Sequence, residues 1–243
     1  MGIRNDVQRT EPPMISVVIP ARDEGAILAD TLAYLVACTP GDGAELVVAV
    51  PLSDQRTAAV ARQHARVVHG PDPSRAGLMN SGAAAARGAG LFFLHADSLP
   101  PTDYIATIQA ALADLEVVGG AFDFEFRERA WRLRTVAAIN RARCRLTGNF
   151  YGDQGIFVRR AVFERLGGFP RRLLFEDLLF SQALRREGRV VLLRGHRVRT
   201  SGRRLLGPDW VRTIGLMTWL LILHGFGRDT DRYATRYHRP PPA

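Results

Sequence analysis

The chain has 243 residues, of which 47% are hydrophobic and 23% charged, a composition typical of a folded globular domain. Its formal net charge is +9, and all 33 basic residues are arginine, because the sequence contains no lysine. The absence of lysine excludes a P-loop lysine on a nucleotide phosphate, a Schiff-base lysine and the phosphate-binding lysine of a kinase.

The charge is divided unevenly along the chain. Residues 1–120 carry 8 Arg and 13 acidic residues, a net charge of −5, whereas residues 121–243 carry 25 Arg and 11 acidic residues, a net charge of +14. This asymmetry indicates either that the second half meets an anionic partner (phosphate, nucleic acid or a lipid surface) or that it forms a solvated basic face.

Cysteine content and apolar runs predict the compartment. Cys38 and Cys144 form neither a disulfide framework nor a C-x-x-C metal site, which fits a reducing cytoplasm. Residues 1–13 are polar, unlike a signal peptide, and are expected to be disordered. The longest uncharged run, 213–227, has 15 residues, fewer than the roughly 20 that cross a bilayer. We therefore expect a cytoplasmic protein, either free or peripheral on the inner face of the cell membrane.

Strand and helix patterns alternate over the first hundred residues. Short apolar runs rich in β-branched residues predict buried parallel strands, and apolar residues spaced by three and four predict helices. In chain order, we predict a strand over 14–19, a helix over 24–36, a strand over 46–50, a helix over 54–64 capped by Ser53, a strand over 66–68, a helix over 75–87 and a strand over 91–94. The alternation predicts an α/β fold, a mostly parallel twisted sheet flanked by helices.

The second half is less regular. Alternating apolar residues over 121–126 predict a strand with one apolar face. The predicted elements are a helix over 102–115, a strand over 117–126, an arginine-rich helix over 128–146, a strand over 155–158, a helix over 176–187, a strand over 190–193 and a mostly apolar helix over 208–226. From residue 228 the sequence is polar and ends in a proline run, which predicts a disordered tail.

Acidic residues follow three of the predicted strands: Glu24, Asp54 and Asp97. Ligands of open α/β sheets bind at the carboxyl ends of the strands, and carboxylates there are suited to Mg²⁺ or Mn²⁺ bridging diphosphate oxygens. Each acid alone is equally typical of a turn or helix cap. Three converging strand ends favour a nucleotide site.

Other sites are excluded on sequence grounds. The G-x-G at 88–90 precedes a strand instead of following one, unlike a dinucleotide-binding fingerprint. The sequence has no G-x-S-x-G nucleophile elbow, and its six histidines lack zinc-ligand spacing.

Seven motifs occur in a recognisable order. They are S-V-V-I-P-A-R-D-E (16–24), R-A-G-L-M-N-S-G-A-A-A-A-R-G (75–88), F-L-H-A-D (93–97), Y-G-D-Q-G-I-F-V-R-R (151–160), G-G-F-P (167–170), F-E-D-L (175–178) and T-S-G-R-R (200–204). Together they resemble glycosyltransferase family 2, of the GT-A fold. The H-A-D and Y-G-D-Q-G-I-F variants resemble its small bacterial branch termed radical-SAM/selenodomain-associated transferase 2.

The resemblance implies one domain over 14–227, divided into a nucleotide-binding half (14–98) and an acceptor-binding half (99–227), followed by a polar tail (228–243). On the donor side, His95-Ala96-Asp97 stands where the family has D-x-D, so Asp97 would hold Mg²⁺ or Mn²⁺ on the diphosphate of a nucleotide sugar. The guanidinium of Arg203, with Arg204, would close over the phosphates. The other implied donor-binding residues are Pro20, Ala21, Arg22, Glu24, Arg75 and Asn80.

The resemblance also implies a mechanism. Glu176 and Asp177 match the family's E-D pair, in which the Asp is the proposed general base, taking a proton from the acceptor as it attacks the anomeric carbon from the opposite face. Such transfer inverts the configuration of the sugar. Asp153 and Gln154 would bind the sugar or acceptor. Taken alone, Glu176 and Asp177 are equally typical of acids favoured by a helix dipole.

Two positions depart from the family pattern. Val50 stands where the family has an Asp that pairs with the base, and Asp54 is the nearest substitute. His95 replaces the first Asp of D-x-D. A UDP-sugar is the donor expected from the family, but the departure at Val50 leaves the identity of the nucleotide base open.

The basic half suggests the acceptor. The arginine-rich helix carries Trp131, and the final helix carries Trp210 and Trp219. Basic amphipathic surfaces with aromatic residues bind anionic membranes, so we expect a lipid, isoprenoid or other small-molecule acceptor and no nucleic acid. The alternatives are a nucleotidyltransferase on a similar sheet, and a non-catalytic basic module that binds membrane or RNA.

Overall fold

A computed structural model describes residues 14–39 and 43–234; the extension 1–13 and the tail residues 235–243, both predicted to be disordered, lie outside the described residues. The strands are β1 Ile15–Pro20, β2 Ala44–Pro51, β3 Arg66–Gly70, β4 Gly90–Phe93, β5 Ser98–Leu99, β6 Val117–Phe126, β7 Ile156–Arg159 and β8 Arg189–Thr200. The helices are α1 Gly25–Cys38, α2 Gln55–Ala61, α3 Arg75–Ala85, α4 Tyr104–Ala113, α5 Trp131–Thr147, α6 Arg160–Arg165, α7 Glu176–Glu187, α8 Arg203–Leu206 and α9 Trp210–Gly225.

The eight strands form one sheet in the order β3-β2-β1-β4-β7-β6-β8-β5. Strands β3, β2, β1 and β4 are parallel, and β7 is antiparallel to both of its neighbours, β4 and β6. Strand β8 runs parallel to β6, and β5 runs antiparallel to β8. The predicted mostly parallel sheet is confirmed. The carboxyl ends of β1, β2, β4, β6 and β8 therefore meet at one edge, where a ligand is expected.

Both faces of the sheet are covered, because successive side chains of a strand point to opposite faces. In β1, which is fully buried, Ile15, Val17 and Ile19 pack in a cluster with apolar side chains of α1 and α4. Val18 of the same strand belongs to a second cluster, with residues of α3, α6 and α7. The site at the carboxyl edge is thus built on a sheet held rigid by two packed layers.

Two local predictions were wrong. Helix α2 is capped by Asp54, not Ser53: Asp54 Oδ1 accepts a hydrogen bond of 3.0 Å from the backbone N–H of Thr57. Strand β8 extends well beyond the predicted 190–193. Leu193 pairs with Phe122 but Arg197 pairs with Asp123, so residues 194–196 form a bulge, and Gly195 adopts the left-handed φ of +87° that glycine tolerates.

Within residues 14–39 and 43–234, every helix is too short or too polar to pass through a lipid bilayer. Helix α9, which contains most of the longest uncharged run, has 16 residues.

Candidate active site

A cavity of about 1380 Å³ lies at the carboxyl edge of the sheet. One wall consists of strand ends, and the opposite wall consists of α5, α8 and the inward side of α9. Eleven of the predicted site residues line it: Pro20, Glu24, Arg75, His95, Ala96, Asp97, Asp153, Glu176, Asp177, Arg203 and Arg204. Residues from six of the seven motifs are therefore brought together in one concave site.

Asp97 follows β4 and faces the end of β8. Its Oδ1 accepts hydrogen bonds from the hydroxyls of Thr200 (3.3 Å) and Ser98 (3.4 Å). Its Oδ2 lies 4.0 Å from Nη2 of Arg203, which is also 3.6 Å from Oε1 of Glu24. Burial, and then the nearby Asp97 carboxylate, raise the pKa of Glu24. The guanidinium of Arg203 thus lies between the carboxylates of Glu24 and Asp97. In this arrangement the guanidinium can bind a phosphate, and the carboxylates can bind a cation.

Asp177 is held by two backbone hydrogen bonds at the start of α7. Its Oδ2 accepts from the N–H of Gly152 (2.6 Å), and its Oδ1 accepts from the N–H of Leu178 (2.7 Å). The preceding Phe175 has a left-handed φ of +62°, which is rare for a bulky residue. These contacts fix the direction in which the carboxylate faces the cavity.

Glu176 is buried next to Asp177 and pairs with Arg75, whose Nη1 lies 3.6 Å from its Oε1. Burial, together with the charge of Asp177, raises the pKa of Glu176 to about 7, although Arg75 opposes the shift. Glu176 therefore changes charge near neutral pH, and in its charged form it pairs with Arg75.

Asp153 lies in the turn after Tyr151, and its Oδ1 is buried without a hydrogen-bond partner among the described residues. Burial and the neighbouring Asp177 raise its pKa to about 7. Burial, with the charges of Arg75 and Arg204, holds the pKa of His95 well below its ordinary value, so the imidazole is neutral at pH 7. Burial thus raises the pKa of two acids of the site, Asp153 and Glu176, to about 7.

Five predicted residues do not line the cavity: Ala21, Arg22, Asp54, Asn80 and Gln154. The amide of Asn80 makes two 2.9 Å hydrogen bonds with the backbone of Phe169. Gln154 is fully buried and accepts a 3.0 Å hydrogen bond from the N–H of Tyr151. Asp54 caps α2 and accepts a 2.8 Å hydrogen bond from the N–H of Asp23. In these contacts the side chains support the scaffold around the site.

Sequence reasoning missed part of the wall. Tyr151 lines the cavity beneath Arg143, whose guanidinium carbon lies 3.7 Å from the ring centroid, a stacking geometry favourable to arginine. Thr200 lies against Asp97. Tyr151 and Thr200 belong to the Y-G-D-Q-G and T-S-G-R-R motifs, which could have identified them. The apolar lining residues lie outside the motifs, so nothing in the sequence marked them; they include Phe124, Ile139, Leu216 and Leu220.

Comparisons with solved structures assign the fold. A mannosyltransferase from Pyrobaculum calidifontis, solved with GDP-Man and Mn²⁺, matches with a TM-score of 0.65 and 20% identity over 94% of this chain and 69% of that one. S. aureus TarS 1–349 matches with a TM-score of 0.61 and 15% identity over 77% of this chain, which spans 60% of TarS 1–349. The same TarS fragment with UDP-GlcNAc matches with a TM-score of 0.61. No curated protein matches in sequence.

The mixed α/β sheet and its carboxyl-edge cavity thus define a GT-A fold, as predicted. Residues 12–207, more than half of the chain, match glycosyltransferase-like family 2. The protein belongs to this family.

Proposed function

We propose that the protein transfers a sugar from a nucleoside diphosphate sugar to an acceptor hydroxyl with inversion at the anomeric carbon. The observation that carries the proposal is the convergence of Asp97 and Asp177, from separate motifs, on one cavity lined by Arg75 and Arg203. Two similar structures were solved in complex with GDP-Man and with UDP-GlcNAc, which supports a nucleotide-sugar donor. A UDP-sugar stays the expectation from sequence. Val50 has an apolar side chain and is fully buried, so it cannot make the contact to the base that the family's Asp makes.

Asp177 would act as the general base. As the acceptor oxygen forms its bond to the anomeric carbon, its proton moves to the Asp177 carboxylate, and the bond from that carbon to the diphosphate oxygen breaks on the opposite face. The electron pair of the broken bond leaves with the nucleoside diphosphate. The backbone N–H of Gly152 holds the carboxylate during the attack, and Arg203 stabilises the charge on the leaving diphosphate.

Asp97 is the residue proposed to hold Mg²⁺ or Mn²⁺. Among residues 14–39 and 43–234, no three His, Cys, Asp or Glu residues group as a metal cage. Mg²⁺ commonly binds through one or two carboxylates together with substrate phosphates, so this donor set fits a cation that arrives with the donor. Such a cation would neutralise charge on the diphosphate.

The acceptor is proposed to be a lipid, an isoprenoid or another molecule with an apolar body, because α5 and α9 give the cavity an apolar wall. Helix α9 is apolar on its outward side as well: Val211, Trp219, Ile222 and Phe226 are 40–79% exposed along one stripe. Exposed arginines border the stripe at Arg212 and Arg228. We therefore propose peripheral attachment to the anionic inner face of the cell membrane, and membership of the bacterial branch that the H-A-D motif suggests.

The test is a screen of nucleotide sugars by thermal shift with Mg²⁺ or Mn²⁺, followed by product analysis. We expect one donor to raise the melting temperature and to release nucleoside diphosphate with an inverted product. Asp97→Asn should lose the metal-dependent part of the shift, and Asp30→Asn, on the exposed side of α1, should keep it. Release of pyrophosphate would indicate a nucleotidyltransferase, and no shift with any donor would favour a non-catalytic module.

A further inference from the structure

The residues that follow α9 turn back onto the loop that leads into α7. Thr230 is fully buried, and Ala234 packs against Leu174 and Leu220. The rings of Trp219 and Tyr233 meet edge to face at 4.8 Å. Residues 228–234, expected from sequence to belong to a polar tail, are therefore part of the folded site.

Two carboxylates of this segment bind three consecutive loop residues. Asp231 Oδ1 accepts hydrogen bonds from the backbone N–H groups of Leu173 (3.1 Å) and Leu174 (3.3 Å). Asp231 Oδ2 lies 3.1 Å from Nε of Arg172, and Asp229 Oδ1 lies 2.9 Å from its Nη2. Hydrogen bonds accepted by a charged carboxylate are stronger than those between neutral groups, so Asp231 fixes the backbone of Leu173 and Leu174.

The loop ends at the general base. After Leu174 the chain passes through Phe175, in its left-handed conformation, and reaches Asp177 within three residues. A bulky residue keeps such a conformation only where its surroundings enforce it. Here the Asp231 bonds precede Phe175, and the ring of Phe175 lies 5.0 Å from that of His224 in α9. The backbone that leads into Asp177 is therefore contacted by Asp231 just before Phe175 and by His224 at Phe175.

We propose that Asp231, with Arg172, is a positioning residue for Asp177, acting through residues 173–175. The inference rests on the proposed function, in which Asp177 is the base. The segment lies beyond residues 12–207, which match the family, so the anchor is an addition to the matched region. Asp177 is then held from two sides, directly by the N–H of Gly152 in the turn after Tyr151 and through the loop by Asp231.

The test compares Asp231→Ala and Arg172→Gln with the wild-type enzyme. Misplacement of the base should lower kcat about 10- to 100-fold, while the donor dissociation constant stays within about twofold. The kcat of the double variant should be no lower than that of the less active single variant, because both substitutions disrupt the same anchor. Arg165→Gln is the matched control: it breaks the exposed 2.7 Å pair with Glu187 at the far end of α7, and kcat should not change.

A second measurement does not depend on turnover. Hydrogen exchange at the amides of Leu173 and Leu174 should be faster in Asp231→Ala, which lacks the accepting oxygen, with exchange in β1 unchanged. Unaltered exchange, or an unaltered kcat in an active enzyme, would overturn this inference and leave the proposed function standing. Failure of the wild-type protein to transfer any sugar would instead overturn the proposed function.

Discussion

The backbone N–H of Gly152 donates a 2.6 Å hydrogen bond to Oδ2 of Asp177, joining the turn after Tyr151 to the start of α7. The bond is made where there is no room for a side chain on residue 152. A Cβ added to Gly152 would lie 2.5 Å from Nε2 of His95 and 3.3 Å from Oδ2 of Asp177. The glycine allows the turn, the imidazole and the carboxylate to meet.

We therefore expect Gly152→Ala to misplace the base and reduce kcat by about 100-fold. Circular dichroism should show an intact fold, because the added methyl group displaces cavity residues and leaves the sheet in place. Gly215→Ala is the control: nothing lies within 4 Å of its added Cβ, and alanine in a helix favours stability by about 1 kcal/mol. Equal kcat values in the two variants would contradict the prediction.

Asp177→Asn should lower transfer by about 10²- to 10⁴-fold, the usual contribution of a positioned general base. The amide keeps the size of the carboxylate but cannot take the acceptor proton. Donor binding, measured by thermal shift, should be retained, since Asp177 is not assigned to the nucleotide. Near-normal turnover would remove the general-base role from Asp177.

Glu176 makes stability depend on pH. Its pKa is about 7 in the folded protein, against an ordinary value of 4.5. Because the folded-state pKa is raised, its contribution to stability is fully present below about pH 4.5 and is lost as the pH rises through 7. Glu176→Gln removes the titrating group, so its melting temperature should fall less between pH 5 and pH 8 than that of the wild type.

Asp153 also has a pKa raised to about 7, so the Glu176→Gln variant should retain part of the pH dependence. Asp153→Asn should remove a further part. Melting curves that shift with pH by the same amount in all three proteins would exclude these carboxyls as the cause.

Attachment to membranes should depend on the outward stripe of α9. Replacing Trp219 and Ile222, which are 40% and 53% exposed, with serine should lower binding to anionic vesicles about tenfold or more, since each large apolar side chain contributes about 1.5–3 kcal/mol when buried. Leu115→Ser, at a residue 84% exposed outside α9, should bind as the wild type does. Absence of wild-type binding in co-sedimentation would exclude the membrane proposal.

The hydrophobic pattern predicted the bounds of a strand correctly where most of the strand is buried. Strand β6 has the predicted bounds, 117 and 126, because its apolar residues extend over its whole length. Strand β8 was predicted only over 190–193, because residues 194–199 are mostly arginine, glycine and histidine. Backbone pairing with β6, not a hydrophobic pattern, sets that part of the strand.

The motifs identified which residues matter but not which of them face the cavity. Asp97, Glu176 and Asp177 line it, whereas Asn80 and Gln154, in equally distinctive motifs, bind backbone beside it. No motif or sequence pattern predicted a role for Asp231. Its sequence context, G-R-D-T-D-R, is typical of a solvated tail, and only the tertiary contact with residues 172–174 gives it a structural role.

The bonds between Asp231 and the loop before α7 also set an order of events during synthesis. Domains begin to fold from the N-terminal side as the chain emerges, so all eight strands and the residues assigned to the donor leave the ribosome before Asp231 does. The contacts of Asp231 with residues 172–174 can form only after residue 231 has emerged. If Asp177 is the base, a shorter nascent chain would have the residues proposed to bind the donor but not this anchor, so donor binding would precede transfer during synthesis.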